Sequence, residues 1–418
     1  MAEQKYSGKL FMANNNSDNI IYVSGSEETR QSNEQRLSEM HQRKVWIVMI
    51  LLIALVVLSV CIFVFVKMRS FGGIKVVSSV ETNYDANANY IEFGDNVLKY
   101  TPDGVSYINS KGEVVWTAGE DFKVPIASAC GDYAVVADKG GNLVAVYGVE
   151  GAVSSVKMPY TVCDVGVAKQ GAFAAILESD DTNYIQMYDK TGNIIYEIRT
   201  SIDKSGYPMD IAVSNDGQKL FTSYFKMDGV NIKNNLTAYN FGDVGQNENA
   251  DRMVGGYSFD EEMIPKVEFI TNDVVAAFSD SQIHLYNMKE KPSERAVVPY
   301  DSEISSVFYC EEYIGIIEPD TSSGSNTGYV VKTYDLSGKK MYEYSFNMDY
   351  DKIHATNDEL IITGGNQCLI ILKSGRTKFN YAFDGIIKSM IPTTNRNEYI
   401  ITYENRIDTV KLRGEDEK

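Results

Sequence analysis

Histidine is scarce in this chain, with 3 in 418 residues, and one of them, His41, sits far from His284 and His354. A three-histidine metal centre in the body is thereby excluded. Both remaining histidines lie in strand-like runs, where a paired or exposed side chain is the ordinary role and catalysis the exception. Cysteine is sparse too: of 5, Cys61 falls in an apolar run and Cys130, Cys163, Cys310 and Cys368 are scattered with no C-x-x-C spacing. Three of those four sit among apolar neighbours, which favours buried thiols over disulfides, although their even number leaves a bridge open. The G-x-S-x-G, P-loop, H-E-x-x-H and EF-hand patterns are all missing, which closes the common sequence routes to a named chemistry.

Basic residues are also in deficit, 39 against 57 acidic, for a net charge of -18. Such a surface repels anionic polymers and lipid head groups, so nucleic acid is not expected as a partner. Carboxylate doublets, Asp180 with Asp181, Glu261 with Glu262 and Glu311 with Glu312, could act as acid and base. Adjacent residues on a strand point to opposite faces, however, and loop solvation is the plainer role. The 28 tyrosines suit glycan or peptide contact, but packing within sheets is favoured for them. No catalytic, cofactor-binding or metal-ligating residue is assigned, and no cofactor is expected.

Against these gaps stands one long apolar run. Val45 to Val66 carries no charge, Gly or Pro, and at a rise of 1.5 Å per residue a helix of that length spans a hydrocarbon core of about 30 Å. It is read as a single transmembrane helix. The preceding tail, residues 1–44, holds six basic and six acidic residues and lacks the apolar content to fold alone. No small-residue cleavage pattern follows Val66, so a signal anchor is expected, with the tail cytoplasmic and the body extracytoplasmic. The implied divisions are a disordered tail (1–44), the helix (45–66), a linker (67–73), a folded body (74–413) and an acidic end (414–418).

The body reads as all β and repetitive. From Tyr90 onward, short runs rich in Val, Ile, Tyr and Phe alternate with Gly, Asn and Asp. A recurrent turn begins at Asn109, Gly148, Asp189, Asn240, Asn287, Asp335 and Lys373, at intervals of 39, 41, 51, 47, 48 and 38 residues. Their mean of 44 is the length of one four-stranded propeller blade. At Asn109, Asp189 and Asp335 an Asx residue opens the turn and a Gly follows three positions later; Asn287 and Lys373 break that pattern. Glu398 to Leu412 supplies an eighth inner pair without an outer strand, and Ile74 to Val80 is expected to complete it, because pairing both ends of the chain removes an exposed edge. Eight blades are predicted, with seven as the alternative. Phe225 to Leu236 and Asp320 to Gly328 are expected as loops projecting from one face.

The hairpin from Ile108 to Ala118 resembles the outer hairpin of the pyrroloquinoline-quinone-type propeller repeat, and Val213 to Ser223 resembles the Asp-Gly turn of WD40-like propellers. The whole layout, a short tail, one helix and a Tyr-rich propeller, resembles an uncharacterised family of single-pass, membrane-anchored propellers from clostridial-type Gram-positive bacteria. That resemblance implies no activity. A protein- or glycan-binding scaffold at the cell envelope is therefore expected. The alternatives are an envelope-directed hydrolase or lyase with a carboxylate site over the channel, and a transmembrane sensor.

Overall fold

The structure, a computed structural model, describes residues 40, 43–61 and 70–414, apart from 181, 203, 230, 249 and 322–327. It divides into two units, Met1–Arg69 and Ser70–Lys418. In the first, the helix Arg43–Cys61 is 19 residues long and apolar enough to cross a membrane. Most of the expected tail, the last residues of the expected span (62–66), the start of the linker (67–69) and most of the acidic end (415–418) lie outside the described residues.

In the second unit the described residues form eight four-stranded sheets, each antiparallel, arranged as an eight-bladed propeller. Seven blades use consecutive strands: 89–119, 125–157, 161–200, 207–259, 266–299, 306–346 and 352–382, here blades 1 to 7. Blade 8 joins the two ends of the ring, since Gly73–Glu81 pairs with Arg406–Arg413 outside Glu398–Thr402 and Ser389–Pro392. The blades pack through eight apolar clusters, one in each gap between neighbours. The gap that decides eight blades over seven is the last. There Ala88, Tyr90, Val97 and Ile108 of blade 1 meet Ile391, Ile400 and Ile407 of blade 8.

The repeat turns form as their chemistry requires. Asn109 Oδ1 accepts from the amides of Lys111 (2.9 Å) and Glu113 (3.0 Å), and Gly112 takes the positive φ of 83° that closes the turn. Asp189 and Asp335 repeat the arrangement. In blade 7 the equivalent position is Leu372, not Lys373, because the Gly375 amide bonds back to the Leu372 carbonyl at 2.8 Å. Tyrosine fills the core as expected: Tyr147, Tyr188, Tyr224, Tyr286, Tyr313 and Tyr399 are among the largest fully buried side chains. Trp116 stacks between Tyr107 and Tyr147, with ring centroids 5.6 Å from each, and donates to the Val149 carbonyl, tying blade 1 to blade 2.

Two further expectations need correction. Residues 225–236 form no loop but the end of a long hairpin, Lys219–Asp228 against Asn231–Asn240, in full register. Their alternating apolar and polar residues can extend a ladder as well as leave it. The long hairpin falls in the 51-residue interval before Asn240, and a helix, Asp243–Glu248, falls in the 47-residue interval after it. Lastly, Glu398–Thr402 and Arg406–Arg413 are the second and third strands of blade 8, not its inner pair. The true inner strand, Ser389–Pro392, has only four residues and ends in Pro, too short to stand out in the sequence.

One device recurs in every blade. The outermost strand carries a single extra residue, shortly after its turn at Val115, Val153, Ile195, Val254, Arg295, Met341 and Lys378 in blades 1 to 7 and mid-strand at Val77 in blade 8. Such bulges sharpen the twist and spoil a flat edge that would otherwise template another strand.

The seam is held on both sides. Before it, the Phe71 amide bonds to the Lys378 carbonyl of blade 7 at 2.8 Å. Beyond it, Ser78 and Thr409 donate to the carbonyls of Lys111 and Ser110 in the outer turn of blade 1. Within it, the buried Asp408 carboxylate accepts from Ser79 at 2.6 Å and from Arg406 Nε at 3.0 Å. Replacing Asp408 with Ala should therefore cost about 2 kcal/mol, because the Ser79 hydroxyl and the Arg406 guanidinium lose a shared acceptor. Equilibrium chemical unfolding of the variant against the parent checks this, and an unchanged midpoint would count against the seam being strained by that loss.

Candidate functional site

The inner strands of the eight blades surround the propeller axis, and on one side of it ionisable side chains converge from blades 3 to 6. Blade 3 contributes Asp164, blade 4 Asp210, blade 5 Lys266 and Glu268, and blade 6 Tyr309. Lys266 Nζ lies 3.3 Å from Asp210 Oδ2 and 3.4 Å from Glu268 Oε2. The Tyr309 hydroxyl donates to Glu268 Oε2 at 2.8 Å, and the Val267 amide donates to Asp210 Oδ2 at 2.7 Å. Local backbone irregularity sets this geometry. The inner strands of blades 3 and 4 slip register at Cys163 and Met209, immediately before the two aspartates, and a bulge of this kind re-aims the side chain that follows it.

Burial governs the charges. It pushes the Asp210 carboxyl up to about 7, Lys266 opposes that shift, and Asp164 adds to it. Burial alone would lower Lys266, but Glu268 and Asp210 together outweigh it and the ammonium is held more firmly than usual. Burial, then Glu268, raises Tyr309 well above the ordinary phenol range, so it stays a neutral donor. Asp210 thus titrates near neutrality, as a general acid or base would. Among the described residues Asp210 accepts from Lys266 and the Val267 amide and from no hydroxyl or thiol; burial raises the Cys130 thiol of blade 2 to about 11, and that thiol donates to Asn215 Oδ1 at 3.3 Å.

The residues singled out in the sequence lie elsewhere. His284 is buried in blade 5 with Nε2 2.8 Å from Glu262 Oε1, and its Nδ1 has no partner among the described residues. Glu262 also accepts from Gln282 at 3.1 Å, so this member of a doublet is spent on structure. Glu311 sits 3.5 Å from Lys169, and Glu312 pairs with Lys373. The Lys169 to Glu311 pair is exposed and energetically minor, but it joins the first hairpin turns of blades 3 and 6 and narrows that mouth of the channel. Asp181 lies outside the described residues. The cysteines are free, with Cys368 buried against Met390 Sδ at 3.3 Å. Among the described residues no group of three or more His, Cys, Asp or Glu could hold a metal ion.

Sequence reasoning missed the axial cluster because none of its members is a doublet or part of a motif. The available signal was a charged residue inside an apolar inner strand in three successive repeats: Cys163-Asp164-Val165, Met209-Asp210-Ile211 and Lys266-Val267-Glu268.

A family profile matches residues 67–412 and is described as a family of unknown function, DUF5711. The chain belongs to that family. Among solved structures, BamB from Moraxella catarrhalis is similar at 13% identity and a TM-score of 0.50, over 81% of this chain and 100% of its own. Sqt1 of Chaetomium thermophilum, solved bound to the N-terminus of the ribosomal protein L10, is similar at 11% identity and a TM-score of 0.50, over 82% and 96%. At such identities the likeness concerns the propeller fold. No curated protein matches the chain.

The pH dependence of the cluster is open to measurement. Asp210 holds its proton up to about pH 7 in the ring and only to its ordinary 3.8 when unfolded, so the stability it contributes is complete below about 4 and lost as pH rises to about 7. Asp210→Asn keeps an acceptor for the Val267 amide and removes the titration. The variant should show a flatter fall in unfolding free energy between pH 4 and 7, by an amount on the order of 4 kcal/mol. Parallel curves for variant and parent would refute the shift.

Proposed function

We propose that the chain is a single-pass membrane protein whose propeller lies outside the cytoplasm and serves as a protein- or glycan-binding scaffold at the cell envelope. The observation that carries this reading is that the axial charges are spent on one another: Lys266 lies between Asp210 and Glu268, and Tyr309 donates to Glu268. A ring so built offers faces for contact more readily than a reactive centre. The apolar helix Arg43–Cys61 supports the tether. That Sqt1 was solved with a bound N-terminal segment of another protein fits a peptide-binding use of the same fold. The net charge of -18 disfavours nucleic acid as the partner.

A second reading, an envelope-directed hydrolase or lyase with a carboxylate over the channel, draws on Asp210 and its pKa of about 7. A third, a transmembrane sensor, would need the tail to bind a cytoplasmic protein.

Crosslinking in living cells followed by mass spectrometry separates these, comparing the full chain with one lacking residues 1–44. The scaffold reading expects reproducible partners in both; partners lost with the tail favour the sensor, and no reproducible partner in either overturns the scaffold. For topology, Tyr84→Cys places a thiol on a side chain that is 68% exposed. An impermeant maleimide applied to intact cells should label it well above the parent chain, and labelling only after lysis would reverse the proposed orientation.

A further inference from the structure

Across the axis from the acidic cluster, the inner strands of blades 7, 8 and 1 enclose a cavity of about 210 Å³ lined by Tyr90, Glu92, Lys352, His354, Thr363 and Ser389, among others. It lies below the 300–1,000 Å³ range of sites for drug-sized ligands, so its occupant must be small. Three features give it a sign. Lys352 Nζ has no hydrogen bond or ion pair among the described residues, while the nearby Asp351 carboxylate is engaged by the Gly365 amide at 3.0 Å. Ser389 is only 5% exposed, lines the cavity, and its hydroxyl has no partner among the described residues. Glu92, the one carboxylate in the lining, has Oε2 3.2 Å from His354 Nε2, an imidazole that counters its charge when protonated.

We propose that this cavity binds a small oxyanion, a phosphate or a compact carboxylate, through the Lys352 ammonium and the buried Ser389 hydroxyl, with Thr363 and Tyr90 as flanking hydroxyls. A buried hydroxyl left unpaired is costly, and an ammonium with no hydrogen-bonded partner attracts a counter-ion; one anion satisfies both. Burial, then the charge of nearby Lys388, lowers the Lys352 pKa against a smaller opposing pull from Asp351, and a net lowering is the direction expected of a cation short of counter-charge. The side chain is accessible to solvent yet closely surrounded, as a group standing in a channel is. Lys352 and Ser389 each open their strand, so the cavity faces the mouth where successive blades connect, opposite the one narrowed by Lys169 and Glu311. The site is independent of any macromolecular partner.

The test uses the full chain in detergent micelles, titrated with inorganic phosphate, acetate or chloride at constant ionic strength. An amine-acylating reagent then reports the reactivity of each lysine by peptide mass spectrometry. Phosphate, acetate or both should protect Lys352 several-fold more than chloride does and leave the exposed Lys340 unchanged, and the two arms distinguish the phosphate source from the carboxylate one. Lys352→Gln should weaken anion-dependent thermal stabilisation about tenfold, the loss expected for one charge-assisted contact. Ser389→Ala should weaken it less. Equal protection by all three salts, or none at millimolar phosphate and acetate, overturns the proposal on the parent chain alone, whatever the variants do.

Discussion

The antiparallel ladder between Gly73–Glu81 and Arg406–Arg413 is the interaction on which the rest of the ring depends. Seven blades are local products of consecutive sequence, each able to form its own sheet. The eighth needs both ends of the chain. Without the N-terminal strand, Arg406–Arg413 would present a free edge, and the apolar gap between blades 8 and 1 would lose the frame that holds it shut. The buried network of Glu359, Lys378 and Tyr399 shows how polar groups reinforce this region: Lys378 reaches the Tyr399 hydroxyl at 2.7 Å, and that hydroxyl donates to Glu359 at 2.6 Å, joining blade 7 to blade 8. Every polar atom named in that network has a partner, the condition under which burying charge is tolerable.

Closure also explains the axial chemistry. A ring fixes the separation of its inner strands, so side chains from blades far apart in sequence are held within ion-pair distance. Asp210 and Lys266 are 56 residues apart, and Glu268 and Tyr309 are 41. In a free sheet such pairs would have to pay the entropy of ordering two mobile segments. Here the apolar gaps have already fixed them in place, and what remains is the balance between desolvation and attraction that sets Asp210 near neutrality.

The architecture was legible in the sequence because apolar runs mark the strands of every repeat and, in three of them, Asx and Gly mark the turn as well. Asn109 with Gly112 and Asp335 with Gly338 are local signals, and local signals survive without an alignment. The strand completing the last blade was legible for a different reason: a sheet lacking one strand must find it somewhere. The outer-strand bulges were not legible, because the extra residue is Val, Ile, Met, Lys or Arg and differs in no visible way from a ladder residue. Nor was the axial cluster, whose meaning lies in the angular order of the blades and not in spacing along the chain. The ten-residue strands of blade 4 misled for a related reason, since Asn231, Asn234 and Asn235 look like turn residues until their partners are known.

The bulge at Val77 gives the closing ladder two mechanically distinct parts. Residues 73–76 pair on one side of it and 78–81 on the other, and the second part holds the bonds of Ser78 to blade 1 and of Ser79 to Asp408. A pull on the chain from its N-terminal side meets the Phe71 bond to blade 7 and the first part before it reaches the second. Those few pairs can fray and re-form while the second part keeps the ring circular, so the interruption works as a strain-relief joint between the leading end of the strand and the wheel.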